Sequence, residues 1–222
     1  MFSHKYKSIF VHIPKAAGTS IEKKLEHFEE PTRGVQDHRT IREVEPLGLD
    51  YFTNLYREDN LFLLMRRMKN GLLKEEKTPT IEQYNTYFKF TFVRNPWSRA
   101  VSWYKNVIRD DIHRHSHNIK KDCTFEEFFK VHLDNTWALR SQLFWLRNYC
   151  GNLPLDFIGR FERLDEDFAK VCERLEIPDG NLPKLIMSES KPYTDYYNNE
   201  LVDIIAKKYK DEISYFGFQY GE

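Results

Sequence analysis

Short apolar runs alternate along the chain with segments in which apolar residues recur every three or four positions. The runs at residues 9–13, 88–93 and 155–161 have the length of buried strands. The segments at residues 96–104 and 164–175 carry their apolar residues at helical spacing. Strands that alternate with helices predict an α/β fold of three layers, in which helices flank a central, mainly parallel sheet.

Further elements follow from helix caps and from residues that break regular structure. Thr40 with Glu43 and Thr124 with Glu127 have the spacing of capping boxes, so each pair predicts the start of a helix. The remaining predictions are a short strand at 31–38, a helix at 61–68, a loop or lid at 69–80, an amphipathic helix at 136–149, a loop at 177–195 and a last helix through 201–209.

Length and composition narrow the class of protein. Residues 1–222 suffice for a single domain with a sizeable core. The 34 basic and 34 acidic residues give a formal net charge of zero, whereas general nucleic-acid binders are usually net basic, so we expect no nucleic-acid partner. We find no apolar signal or membrane segment near the first residue, no glycosylation sequon and no disulfide pattern among three cysteines. These features predict a cytoplasmic protein.

The stretch at residues 12–20, HIPKAAGTS, has the pattern of an anion-binding loop. It follows an apolar strand and contains small residues, so an anion can approach its backbone N–H groups at the start of the next helix. We predict that Thr19 caps this helix and that Glu22 reaches back to it. An ordinary strand-to-helix turn needs only a small residue and a cap, but Lys15 and the hydroxyls of Thr19 and Ser20 favour an anion. The stretch lacks the Gly-Lys-Ser/Thr of a Walker loop.

The stretch at residues 90–104, FTFVRNPWSRAVSWY, predicts a second anion site. Arg94 directly follows a strand, and Pro96 starts a helix that carries Arg99 and Ser102. A guanidinium group is well shaped for bidentate contact with phosphate. Arg99 could instead be a solvated helix residue. Because kinases and ATPases need an aspartate at such a position to hold magnesium, the arginine predicts an anion site without a metal.

Histidines supply the remaining candidate chemistry. His38 lies beside Asp37 at the predicted end of a strand, on the same sheet edge as the two anion sites. It could serve as a general base with a pKa near ~6.5 or as an ordinary structural histidine. His113, His115 and His117 alternate in IHRHSH, where we favour a surface loop over a metal site.

The two anion stretches together resemble the cofactor loops of sulfotransferases that use 3′-phosphoadenosine 5′-phosphosulfate (PAPS). DFIGRFERLDEDF at 156–168 and the stretch that begins YYNNELVDII also resemble the carbohydrate branch, which includes heparan sulfate 2-O- and chondroitin 4-O-sulfotransferases. The resemblance implies a P-loop-like fold, a PAPS donor with the product PAP, and a hydroxyl acceptor on a saccharide. It implies site roles for the following residues: Lys15, Ala17, Gly18, Thr19 and Ser20 at the 5′-phosphosulfate, Arg94, Arg99 and Ser102 at the 3′-phosphate, and Ser190, Lys191 and Tyr193 in a loop near the nucleotide.

The resemblance also implies a mechanism. His38 would accept the proton of the acceptor hydroxyl, and Lys15 would neutralise charge on the leaving phosphate oxygen, in an in-line displacement that needs no metal. Two other classes stay open at this point. One is a nucleotide phosphotransferase, and the other is a non-catalytic module that binds PAP.

Overall fold

The computed structural model describes residues 1–28, 36–57, 59–74, 78–183 and 191–222. Its sheet has the strand order β1 (Phe2–Ser3), β2 (Ser8–Val11), β3 (Phe88–Val93) and β4 (Phe157–Arg160). Strands β2, β3 and β4 are parallel, and β1 pairs antiparallel with β2 at one edge. The three predicted apolar runs therefore form the centre of the sheet, and the predicted mainly parallel sheet is confirmed.

Apolar clusters cover both faces of this sheet. Ile9 and Val11 of β2 belong to one cluster, whereas Phe10 between them belongs to the other, because successive side chains of a strand point to opposite faces. All four residues of β2 are buried, as expected for a parallel strand that is covered on both sides. The predicted three-layer α/β arrangement is confirmed.

Helices connect the strands and form the two outer layers. The helices of the described residues are α1 (Gly18–Lys24), α2 (Ile41–Val44), α3 (Leu49–Thr53), α4 (Asn60–Lys74), α5 (Ile81–Thr86), α6 (Pro96–Arg109), α7 (Asp111–Ser116), α8 (Phe125–His132), α9 (Gln142–Leu146), α10 (Leu164–Arg174), α11 (Asn199–Lys208) and α12 (Lys210–Phe216). Short 3₁₀ turns lie at Trp137–Leu139, Phe161–Arg163 and Tyr193–Tyr196. Within these parts of the chain, no helix combines the length and the hydrophobicity needed to cross a lipid bilayer.

Both predicted capping boxes form. The backbone N–H of Thr40 donates to the Glu43 carboxylate at 2.9 Å, and Thr40 is the N-cap of α2. The backbone N–H of Thr124 donates to the Glu127 carboxylate at 2.8 Å, and Thr124 is the N-cap of α8. Capping also explains the start of α6, because the side chain of Asn95 accepts hydrogen bonds from the first turn. These helix starts depend on contacts between neighbouring residues, which are visible in the sequence.

Four predicted elements are wrong in whole or in part. Helix α4 continues through residues 69–74, part of the predicted loop at 69–80, because a single glycine is tolerated inside a helix. The predicted helix at 136–149 is divided, since Ser141 caps a new helix, α9. The IHRHSH segment is helical through Ser116 in α7, which Asp110 caps, and His117 is the C-cap, so the predicted loop is wrong. Of the predicted strand at 31–38, residues 36–38 form no strand and 31–35 lie outside the described residues.

Candidate active site

The two predicted anion stretches lie side by side. Strands β2 and β3 are parallel neighbours, so the segments that follow them leave the sheet at the same edge. Nη1 of Arg94, just after β3, donates to the backbone carbonyl of Lys15, four residues after β2, at 3.1 Å. The structure therefore brings Lys15 and Arg94 together, and we call the space around them the cleft.

The loop before α1 has a strained backbone. Lys15 has φ 69° and Ala17 has φ 66°, so two residues with side chains adopt the left-handed conformation. Each costs about 1–2 kcal/mol relative to ordinary backbone. Ala17 is the N-cap of α1, so the prediction that Thr19 caps this helix is wrong. Glu22, the predicted partner of that cap, is buried, and its Oε1 lies 3.1 Å from Nδ1 of His12.

This backbone leaves hydrogen-bond donors available. The N–H groups of Gly18 and Thr19 donate to no backbone carbonyl within the described residues, whereas that of Ser20 donates to Ala17 at 3.1 Å. The carbonyl of Lys15 instead accepts from Arg94, and that of Pro14 accepts from Arg99. Free N–H groups next to a lysine can bind an anion.

The lack of a side chain at Gly18 also has a packing role. A Cβ atom built at Gly18 would lie 1.9 Å from Cδ2 of His12. The ring of His12 is buried and cannot move aside easily, since it is only 2% exposed. The sequence analysis assigned this glycine to the approach of an anion, and the structure adds that it makes room for His12.

Lys15 lies in a strongly positive environment. Burial, followed by repulsion from Arg94 and Arg109, lowers its pKa to about 8. Its Nζ donates to Oδ1 of Asn106 at 3.4 Å, which is a long contact with a neutral group. In the part of the chain that the structure describes, no carboxylate lies within ion-pair distance of Nζ. An anionic ligand would supply the missing negative charge.

Arg94 faces the cleft from the second stretch. Its Nε donates to Oγ of Ser98 at 3.0 Å, and its guanidinium lies 3.9 Å from the ring centre of Phe161. Burial lowers its pKa to about 10. Ser102 lies one turn beyond Ser98 along α6, on the same side of the helix. Arg94 and Ser102 thus line one side of the cleft.

Arg99 does not face the cleft. It is 1% exposed, and its guanidinium donates to the backbone carbonyls of Pro14, Ala138 and Arg140. The structure therefore corrects both interpretations of Arg99, because it is neither solvated nor directed toward a nucleotide. It supports the anion loop from behind through Pro14.

His38 lies next to the anion loop, although no strand carries it there. Its ring packs on the ring of His12 at 4.2 Å between centres. Its Nε2 lies 3.1 Å from Oε1 of Gln36, and its Nδ1 is buried without a hydrogen-bond partner within the described residues. Burial, then repulsion from His12, lowers the pKa of His38 to about 3, so the expected value near ~6.5 is wrong.

Asp37, the neighbour that could replace His38 as a base, is already occupied. Its carboxylate accepts from the guanidinium of Arg39 at 2.6 Å and 2.9 Å. Although burial raises the pKa of Asp37, nearby positive charge outweighs this and holds the pKa well below its usual value. Both oxygens of Asp37 are therefore engaged by Arg39 and are not free for an acceptor hydroxyl, whereas a low pKa is common to Asp37 and His38.

The last predicted site segment is only partly described. Ser190 lies outside the described residues, and Lys191 is exposed. The hydroxyl of Tyr193 accepts from the N–H of Gly221 at 2.7 Å. The Tyr193 ring packs on Tyr220, which in turn packs on Trp97 at the start of α6. Tyr193 is thereby tied to the helix that follows Arg94, whereas Lys191 forms no hydrogen bond or ion pair with either loop within the described residues.

Sequence reasoning missed several polar residues of the site. Gln36 contacts both Thr19 and His38, and Asn106 contacts Lys15. Arg66 of α4 donates to the carbonyl of His38 at 3.1 Å and so fixes the backbone that carries the candidate base. Gln36 and Asn106 belong to no motif. The contact of Arg66 with the backbone of His38 likewise has no signal in the sequence.

Comparisons with known proteins agree with this geometry. The profile of the sulfotransferase family matches residues 1–219, so the chain belongs to that family. It is 27% identical over 198 residues to human carbohydrate sulfotransferase 14 and 26% identical over 201 residues to the mouse protein. These matches cover 80% of the chain but 46% of each relative, so the chain spans about half their length. An Archaeoglobus fulgidus protein named only as uncharacterized is 35% identical over 101 residues, which are 43% of this chain and 73% of that protein. No solved structure matches.

Proposed function

We propose that the protein transfers a sulfuryl group from PAPS to a hydroxyl group of a carbohydrate. Membership of the sulfotransferase family supports sulfuryl transfer. The names of the human and mouse relatives support a carbohydrate acceptor. The observation that carries the proposal is the contact between Arg94 and Lys15, which combines two positive side chains in one cleft.

The charge of the cleft fits the donor. PAPS and PAP carry phosphate groups at both ends of the ribose, so they need two separate anion sites. Lys15 and the free N–H groups of Gly18 and Thr19 provide one. Arg94 provides the other with the hydroxyl of Ser102. Burial of these cations is costly without a counter-charge, and phosphate groups would offset that cost.

We assign the remaining site residues in the same way. The strained backbone at Ala17 turns the Gly18 and Thr19 amides toward the 5′-phosphosulfate, and the hydroxyls of Thr19 and Ser20 add donors. Tyr193 and Lys191 would border the nucleotide, as would Ser190. Arg99 is left out of the contacts because backbone carbonyls occupy its guanidinium.

PAPS would supply an activated sulfuryl group, and the residues of the chain would manage charge and protons. His38 would take the proton of the acceptor hydroxyl, whose oxygen forms a bond to sulfur while the bond from sulfur to the phosphate oxygen breaks. Lys15, which stays protonated below its pKa of about 8, would stabilise the charge that develops on that phosphate oxygen.

Transfer of labelled sulfate from PAPS to a panel of saccharides and small alcohols tests the proposal directly. We expect transfer to at least one saccharide, unchanged by chelation of divalent metals. His38→Ala should lower turnover by about 10²–10⁴-fold, because a positioned base contributes that much. Its affinity for PAP should stay within about threefold of the native value, since the base faces the acceptor.

The same assay separates the other two classes. Magnesium-dependent turnover of ATP without any sulfate transfer would identify a phosphotransferase. Tight binding of PAP without transfer to any acceptor would identify a binding module. Full activity in His38→Ala would leave sulfuryl transfer in place but reassign the base.

A further inference from the structure

Gln36 joins the anion loop to the candidate base. Its side-chain Nε2 donates to Oγ1 of Thr19 at 2.9 Å, and its Oε1 lies 3.1 Å from Nε2 of His38. The amide thus contacts one residue proposed to bind the donor and one proposed to activate the acceptor. Nothing else in the described residues contacts both of these side chains through hydrogen bonds.

The direction of these hydrogen bonds determines where the protons lie. Because Gln36 uses its N–H on Thr19, the Thr19 hydroxyl accepts and its own hydrogen is free to donate to an anion. With the amide oxygen of Gln36 toward His38, this contact is a hydrogen bond when Nε2 of the histidine carries the hydrogen. A neutral imidazole then has its lone pair on Nδ1, the atom that is buried without a partner within the described residues.

The backbone around His38 is fixed independently of Gln36. The N–H of Asp37 donates to the buried carboxylate of Glu22 at 3.1 Å, and the carbonyl of His38 accepts from Arg66 at 3.1 Å. The ring of His12 packs against the imidazole. With the backbone held, the ring is oriented by its contact with Gln36 and by a hydrogen bond to the backbone of His12.

We propose that Gln36 is a positioning residue that holds His38 in the Nε2–H tautomer and so makes Nδ1 the atom that receives the proton of the acceptor. Each group then donates a hydrogen bond to the next: His38 donates to Gln36, Gln36 donates to Thr19, and Thr19 donates to the bound anion. When Nδ1 takes the proton, Oε1 of Gln36 accepts from the imidazolium and stabilises it. The inference rests on the proposed function, and the side chains that cover Nδ1 must move before the acceptor hydroxyl reaches it.

The first test is the tautomer of His38, measured by ¹⁵N NMR of histidine-labelled protein near neutral pH, with the signal assigned by its loss in His38→Gln. We expect the Nε2–H tautomer in the native protein, and a partial or complete loss of it in Gln36→Ala. Gln36→Glu keeps the oxygen that faces His38 and should keep the tautomer. Gln219→Ala is the matched control, because the exposed Gln219 side chain makes no hydrogen bond within the described residues and the variant keeps the backbone carbonyl that accepts from Asn95.

The second test separates positioning from a structural role. Gln36→Ala should lower kcat by about 10- to 100-fold, the usual effect of losing a partner that orients a catalytic side chain. The Kd for PAP should change less than threefold. Gln36→Glu should retain more of kcat than Gln36→Ala but bind PAP more weakly, because it cannot donate to Thr19 and adds negative charge.

The outcomes distinguish this inference from the proposed function. The Nδ1–H tautomer in the native protein, or an unchanged tautomer in Gln36→Ala, would overturn the inference even if sulfate transfer is found. The expected tautomers without sulfate transfer to any acceptor would overturn the proposed function but would still show that Gln36 positions the ring.

Discussion

The cleft and the buried region behind it use the same residue types in opposite ways. In the cleft, Lys15 and Arg94 lie close together, and among the described residues neither forms an ion pair, although the carboxylate of Glu162 attracts Arg94. Behind it, Arg99 is surrounded by three carbonyls and attracted by the buried carboxylate of Glu212. Gln142 connects the regions, because its amide contacts both Glu212 and the backbone of Arg94.

This comparison shows that position in a motif does not determine the role of an arginine. Arg94 and Arg99 are five residues apart in one segment, and both are candidates for phosphate contact by sequence. Only the tertiary partners separate them. The buried region supports the structure of the cleft, and the cleft presents positive charge to a ligand. Substitutions in the buried region should therefore change stability, and substitutions in the cleft should change binding.

Loss of Arg99 should have the largest effect on the free energy of unfolding. Arg99→Ala leaves three buried carbonyls without a donor and removes the positive charge that attracts the buried Glu212, so we expect a loss of about 3–5 kcal/mol. Urea unfolding followed by circular dichroism would measure it. A loss below about 1 kcal/mol would mean that the buried region does not support the cleft as described.

Loss of Arg94 should affect binding more than stability. Arg94→Ala removes a fork-shaped donor from the proposed 3′-phosphate site, so we expect the preference for PAP over AMP to fall by about 2–3 kcal/mol. The free energy of unfolding should fall by about 1–2 kcal/mol, less than in Arg99→Ala, because the guanidinium of Arg94 donates two hydrogen bonds and packs on Phe161.

Calorimetric titration with both nucleotides would measure this change, and Arg94→Lys is the control that keeps the charge without the fork. If Arg94→Ala unfolded as easily as Arg99→Ala while keeping its preference for PAP, the contrast between the two arginines would be reversed.

The smallest expected effect is a pH dependence of stability that arises from His38. Its folded pKa of about 3 is below the unfolded value near ~6.5, so the unfolded state binds more protons between these values. Stability should therefore fall as the pH falls below about 6.5. Between pH 7 and 5.5 we expect His38 to account for about 1 kcal/mol.

Unfolding of the native protein and of His38→Gln at both pH values would isolate this contribution, because the variant lacks the titrating ring. Equal pH dependence in the two proteins would contradict the burial of a neutral His38. The same low pKa predicts that the catalytic rate does not fall near pH 6.5 through protonation of this residue.

Local sequence was sufficient to predict much of the fold. Apolar runs predicted the three parallel strands, since a strand covered on both faces is mostly apolar. Capping boxes predicted the starts of α2 and α8, and Pro96 predicted the start of α6, because each depends on residues within one turn. The predicted helix at 136–149 is wrong because Ser141 starts a new helix there, while Arg99 binds the carbonyls of the preceding turn from a distant part of the chain.

The site was predictable only where residues follow a strand directly. Lys15 and Arg94 could be placed together because parallel strands end at one edge of the sheet. The roles of Gln36 and His12 could not be predicted, because each depends on a contact between segments whose spacing in sequence carries no pattern. Burial also changed the expected chemistry of His38, and burial of a single ring cannot be derived from a loop sequence.

The central claim is that the cleft of Lys15 and Arg94 binds a nucleotide with phosphates at both ends of the ribose. Calorimetric titration of the native protein with PAP and with AMP, in the presence of a metal chelator, tests it most directly. A contact worth about 2–3 kcal/mol predicts that PAP binds at least about 30-fold more tightly than AMP. Equal affinities for PAP and AMP would contradict the claim.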